Sequence, residues 1–194
     1  MTNTIGYYEK NAEEFVSGTV NVDFSEMQNR FLELLPEHAD ILDFGCGSGR
    51  DTKYFLEQGY RVAAVDGCYE LCKLASEYTG IEVKQMLFHE LNAVEEYDGI
   101  WACASILHVR REDLPEIFKK MYRALKVNGI LYVSFKYGEF KGERNGRYFT
   151  DMTEISMAEL LKEIPKLKIE KQWITGDVRV GRGEERWLNM ILRK

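Results

Sequence analysis

"DILDFGCGSGRD", residues 40–51, decides the fold. A short apolar run ends at Phe44 and enters Gly45-Cys46-Gly47-Ser48-Gly49, with three glycines on alternate positions. A run this short, closed by glycine, reads as a buried parallel strand entering a tight turn. The spacing is G-x-G-x-G. A dinucleotide fingerprint needs glycine at position 50, where Arg50 stands. A triphosphate loop needs a lysine that "GSGRDT" lacks. Asp43, two residues before Gly45, would repel a phosphate and suits an ammonium or sulfonium group.

Strands and helices alternate on both sides of this turn. Helical spacing runs over 7–17 and 24–35, and "GRDTKYFLEQG" (49–59) and "YELCKLASEYTG" (69–80) read as helices closed by glycine. "YRVAAVD" (60–66), "IEVKQML" (81–87), "YDGIWACAS" (97–105) and "ILYVSF" (130–135) read as strands. "DLPEIFKKMYRALKVNG" (113–129) carries Leu114, Ile117, Phe118, Met121, Tyr122 and Leu125 on one helical face. Residues 136–150 read as a polar loop and 154–164 as a helix. The runs 167–174 and 186–194 have no helix between them, so they should pair as a hairpin and make one edge strand antiparallel. Strict alternation implies a doubly wound α/β sheet. One domain over 1–194 is expected, with 1–37 as a helical extension and 38–194 as the α/β core.

The chain has 194 residues and a formal net charge of −6, which disfavours nucleic acid and acidic membranes as partners. The cysteines Cys46, Cys68, Cys72 and Cys103 form no C-x-x-C pair and His38, His89 and His108 are scattered, so no metal site is expected. Unpaired buried cysteines and a start without a signal-peptide pattern suit a cytoplasmic protein. "GIWACASILHV" is too short to span a bilayer. Oligomeric state stays open.

Asp66 ends the second strand, beside the glycine turn in a doubly wound sheet, where an acid can accept from both ribose hydroxyls. Turn and acid together describe a site for a nucleoside with a cationic tail and no phosphates, such as S-adenosylmethionine (SAM). "ILDFGCGSGR" followed by "VAAVD" resembles the class I SAM-dependent methyltransferases, as do "YDGIWACASILHV" and "ALKVNGILYVSF". In detail the chain is similar to small bacterial methyltransferases of the tellurite-resistance and ubiquinone-biosynthesis types.

The resemblance implies a Rossmann-like seven-stranded sheet of order 3-2-1-4-5-7-6 with strand 7 antiparallel. It implies SAM as cofactor and S-adenosylhomocysteine as product. By that likeness Asp43, Gly45, Cys46 and Gly47 approach the methionine part, Arg50 meets its carboxylate, Asp66 takes the ribose, and Gly67 and Cys68 lie under the adenine. Leu87 stands where related sequences carry an acid for the adenine amino group; Phe88 can pack on the ring, and Glu90 is the nearby acid that could substitute. Tyr7 and Tyr8 belong to an N-terminal helix that folds over the cofactor in related proteins, with Tyr8 against it.

His108 lies at the carboxyl edge of the sheet and is the candidate general base, with Tyr148 as a second. Arg147, Arg182 and Arg186, among interleaved aromatics, are candidates to hold an anionic or planar substrate. The expected activity is in-line methyl transfer to a small-molecule acceptor, an anionic one being the option that the arginines raise; the alternative is a non-catalytic SAM-binding or partner-regulating module. Strand 4 ends "CASILHV", without the N/D-P-P-Y/F motif of amino-group methyltransferases.

Overall fold

The computed structural model describes residues 2–179 and 181–194. Helices α1 (Thr2–Ser17) and α2 (Ser25–Leu32) precede the sheet. Then β1 (Asp40–Phe44), α3 (Arg50–Glu57), β2 (Arg61–Asp66), α4 (Tyr69–Thr79), β3 (Val83–Gln85) and β4 (Tyr97–Ala102) alternate. Helix α5 (Leu114–Ala124) runs straight into β5 (Leu125–Lys136). A hairpin of β6 (Lys141–Arg144) and β7 (Arg147–Thr150) follows, then α6 (Glu154–Leu161), β8 (Lys168–Gly176) and β9 (Arg186–Arg193).

The main sheet has seven strands in the order β3-β2-β1-β4-β5-β9-β8. With β6 and β7 set aside as a separate pair, this is the order expected from the sequence. Strand β9 is antiparallel to both neighbours and lies between β5 and β8, so β8 forms the outer edge. One face packs α5 and α6 through Ile117, Phe118, Met121 and Met157. The other packs α2 and α3 through Met27, Phe31 and Phe55 around Trp101, which stacks on Tyr132 at 3.9 Å between ring centroids.

Two local readings change. Leu125 is buried as predicted, but as the first residue of β5 rather than the last turn of a helix. The helix ends at Ala124 because Leu125 takes up extended backbone (φ −69°, ψ 138°) and pairs with Tyr97. Residues 136–150, read as a loop, hold the β6–β7 hairpin. Its turn is Asn145-Gly146, both at positive φ (48° and 76°), the backbone a two-residue hairpin needs.

Helix α1 lies over the carboxyl ends of the central strands. Ala12 and Tyr8 pack on Cys68 and Leu71, Glu9 accepts from the Tyr69 N–H at 2.8 Å, and Thr4 Oγ1 accepts from the Tyr148 N–H at 2.9 Å. The helix is broken at Asn11 (φ −126°, ψ 20°), whose side-chain amide donates to the Tyr7 carbonyl at 2.7 Å and satisfies one of the carbonyls at the break. Among the described residues no helix is long and apolar enough to cross a membrane.

Candidate active site

A cavity of about 460 Å³ opens at the carboxyl ends of β1, β2 and β4, under α1. That volume suits a small-molecule ligand. Its floor is the glycine turn. Gly45 and Gly47 stand at φ +89° and +55°, and the N–H groups of Gly45 and Cys46 both donate to the Val65 carbonyl, pinning the turn to β2. A Cβ on Gly45 would sit 2.4 Å from the Ser105 Cβ, so only glycine allows β1 and the β4 exit to approach. Ser105 holds that approach by donating to the Phe44 carbonyl at 2.6 Å.

Asp66 reaches the cavity from the end of β2. One oxygen accepts the Gly47 N–H and the other the Cys68 N–H, each at 2.9 Å. Each oxygen keeps a free lone pair, which is the pattern a ribose diol requires. Burial raises its pKa, opposed by those backbone donors. Gly67, Cys68, Leu87 and Phe88 line the wall beside it, and Phe88 stands edge-on to Phe44 at 4.9 Å. Glu90 does not line the cavity; its carboxylate accepts the Leu87 N–H at 2.7 Å. The acid that sequence offered as a substitute is thus engaged with backbone.

Asp43 departs from its expected place. It is 2% exposed, lies beneath the turn rather than in the cavity wall, and accepts from Thr52 Oγ1 at 2.5 Å. Burial first, and Asp51 beside it second, push its carboxyl well above the usual carboxylate range, which favours the neutral form. Asp51 is the acid in the wall instead. Burial works to raise the Asp51 pKa, but Arg50 and the donors Trp101 and Gln28 outweigh it and hold it below the usual range. Nothing in the spacing of Asp51 marked it as more than a first-turn helix acid. Trp101, read as core, is buried, yet its indole N–H donates to Asp51 at 2.8 Å.

The roof is made by α1 and the hairpin. The period of two along β7 turns Arg147 and Phe149 to the cavity and Tyr148 away. The Tyr148 ring lies under the Arg110 guanidinium at 5.5 Å, so this candidate base does not reach the cavity. Its carbonyl matters instead: His108 Nδ1 donates to it at 2.6 Å, which leaves Nε2 to accept from the Tyr8 hydroxyl at 3.0 Å. Burial is the main cause that lowers the His108 pKa, to about 4, with the Arg147 charge acting the same way, so the ring is neutral. Burial likewise raises the Tyr8 pKa.

Arg147 donates to the Tyr8 oxygen at 3.3 Å and stacks between Tyr7 at 4.7 Å and Phe149 at 5.3 Å. Its Nε is buried with no hydrogen-bond partner among the described residues. The other basic side chains at the rim are paired: Lys136 and Arg182 with Glu185, Arg144 with Asp151, Arg179 with Asp177. Arg182 lines the cavity, but Arg186 does not; it packs over Tyr137, just past β5, at 5.1 Å. Arg179, Asp177 and Trp187 join the rim through the fold of the β8–β9 connection.

The glycine floor, the two-donor Asp66 and the seven-stranded sheet give this chain the fold of the class I SAM-dependent methyltransferases. The family profile described as "Methyltransferase domain" matches residues 41–129. The chain is 30% identical over 117 residues to the putative methyltransferase YqeM of Bacillus subtilis (strain 168), covering 54% of this chain and 47% of that relative, about half its length. It is 26% identical over 176 residues to an uncharacterized methyltransferase of Staphylococcus carnosus (strain TM300), covering 83% and 84%. In fold it is similar to the 1,6-didemethyltoxoflavin-N1-methyltransferase of Burkholderia thailandensis, solved with 1,6-didemethyltoxoflavin and S-adenosylhomocysteine. That likeness has a TM-score of 0.74 at 24% identity and covers 98% of this chain and 84% of that one.

Proposed function

We propose that this chain transfers the methyl group of SAM to a small acceptor whose anionic group is held by Arg147. The observation that carries the anion is the buried, unpartnered Arg147 Nε between aromatic rings. A guanidinium left without a counter-ion in a half-closed cavity costs desolvation energy that an anionic ligand recovers.

Bound SAM supplies a methyl carbon already activated by its sulfonium. Asp66 takes the ribose hydroxyls, Gly67, Cys68, Leu87 and Phe88 flank the adenine, and Gly45, Cys46 and Gly47 line the methionine path. Arg50 meets the carboxylate. Helix α1 is the lid, and Tyr8 closes the cavity over the reacting centre, excluding water. His108 takes the proton of a hydroxyl or amine acceptor: the proton passes to the Tyr8 oxygen as the Tyr8 hydroxyl proton moves to Nε2. An anion on Arg147 offsets the positive charge that, after burial, holds the His108 pKa down, so acceptor binding makes the ring a better base.

The test is a methyl-transfer screen of paired acceptors that differ only in a carboxylate or phosphate. Arg147→Gln should raise KM for the charged member roughly tenfold or more, the scale of one charge-assisted hydrogen bond. S-adenosylhomocysteine affinity should stay unchanged. Equal turnover of charged and neutral acceptors by the unmodified chain would remove the anion from the proposal.

A further inference from the structure

We infer that Gln28 and Trp101 are positioning residues for the carboxylate of the cofactor, acting through Asp51 on Arg50. The inference rests on the proposed contact between Arg50 and that carboxylate.

Asp51 accepts four hydrogen bonds. Its Oδ1 takes Gln28 Nε2 at 2.7 Å and Arg50 Nε at 2.8 Å. Its Oδ2 takes Trp101 Nε1 at 2.8 Å and Arg50 Nη2 at 3.0 Å. Each oxygen therefore has one donor from the guanidinium and one from a neutral side chain. With both lone pairs of each oxygen engaged, Asp51 has no capacity to accept from a ligand, although it stands in the cavity wall. What it does is hold Arg50. The two-toothed contact sets the plane of the guanidinium, and Phe24 supports that plane from one side, 4.6 Å from the guanidinium carbon. With the Nε N–H and one Nη2 N–H engaged, both Nη1 N–H groups and the second Nη2 N–H are left for the ligand.

The carboxylate in turn is held by groups from two remote parts of the chain. Gln28 sits on α2, ahead of the sheet, and is 2% exposed. Trp101 sits on β4, fully buried and stacked on Tyr132. Both donors are uncharged, so they fix the Asp51 plane without adding a cation that would compete with Arg50 for it. Helix α2 thereby reaches the cofactor site without touching the cavity: Gln28 is absent from its lining, whereas Arg50, Asp51 and Phe24 are present. Removal of either neutral donor frees the carboxylate to rotate, and the guanidinium turns with it.

The test compares S-adenosylhomocysteine with 5′-methylthioadenosine, which keeps the nucleoside and thioether but has no carboxylate, by isothermal titration. Gln28→Leu and, separately, Trp101→Phe should weaken S-adenosylhomocysteine roughly tenfold, the scale of one hydrogen bond to a charged group. Binding of 5′-methylthioadenosine should stay within about twofold, since its contacts lie away from the altered group, and this shows that the pocket is still folded. Arg50→Ala should reduce the preference at least as far as either single variant, and Gln28→Leu added to Arg50→Ala should change nothing more. Equal weakening of both ligands, or an unchanged preference in both single variants, overturns the inference. An Arg50→Ala chain that keeps the original preference overturns the carboxylate contact itself.

Discussion

The floor and the roof of the cavity differ in how completely their polar groups are paired. On the floor, Asp66, Asp51 and Asp43 are all buried or half-buried, and each carboxylate has donors from turn backbone or from a fixed side chain. On the roof, Arg147 Nε is buried with no hydrogen-bond partner among the described residues. A satisfied network is rigid and already shaped for its ligand. An unsatisfied one stores a desolvation cost that a second ligand can relieve. The floor is thus rigid, and the roof keeps an unsatisfied donor beside the cavity.

Substitution on the floor should break this contrast most severely. Gly45→Ala puts a Cβ 2.4 Å from Ser105 at φ +89°, so strain and overlap should cost about 3–5 kcal/mol of stability, read by denaturant unfolding. If Gly45→Ala unfolds at the same midpoint as the unmodified chain, the floor is not the rigid element described here. Asp66→Ala should weaken S-adenosylhomocysteine by about a hundredfold, measured by titration calorimetry, because the Gly47 and Cys68 N–H groups and both ribose hydroxyls lose their acceptor.

The roof should give a smaller, pH-dependent effect. His108 has a folded pKa of about 4, below its ordinary value of 6.5. Between these values the unfolded chain binds the extra proton, so stability is full above pH ~6.5 and falls as pH drops toward ~4. The full shift corresponds to ~3 kcal/mol; with the ring facing a water-accessible cavity, about 2 kcal/mol is expected. The difference in unfolding free energy between the unmodified chain and His108→Gln, followed from pH 7 to pH 4, isolates this group from the carboxylates. A difference that stays constant over that range would place His108 in a solvated setting and erase the distinction between floor and roof.

Much of the floor was legible because its signals are local. A five-residue strand, a G-x-G-x-G turn and an acid at the end of the next strand lie within residues 40–66, and backbone geometry dictates what each can do. Asp43 shows the limit. Its position in the motif is plain, but the upward push on its pKa comes from burial and from Asp51 beside it, and both arise only on folding. The roof was less legible. "RNGR" holds the Asn-Gly signal of a two-residue hairpin, yet its surroundings are charged and read as loop. Missing that turn meant missing the period of two, and with it the opposite facing of Arg147 and Tyr148.

The chain order of apolar runs, glycines and acids by itself determined a doubly wound sheet and a tight glycine turn with an acid at the end of the next strand, because strand period, turn conformation and crossover handedness are short-range properties. Tertiary structure alone decided that Gln28 and Trp101 meet at Asp51, that Tyr8 reaches His108 across 100 residues, and that Arg147 Nε is buried with no partner among the described residues. Those facts depend on which side chains share a buried space, and burial sets the strength of every charge within it.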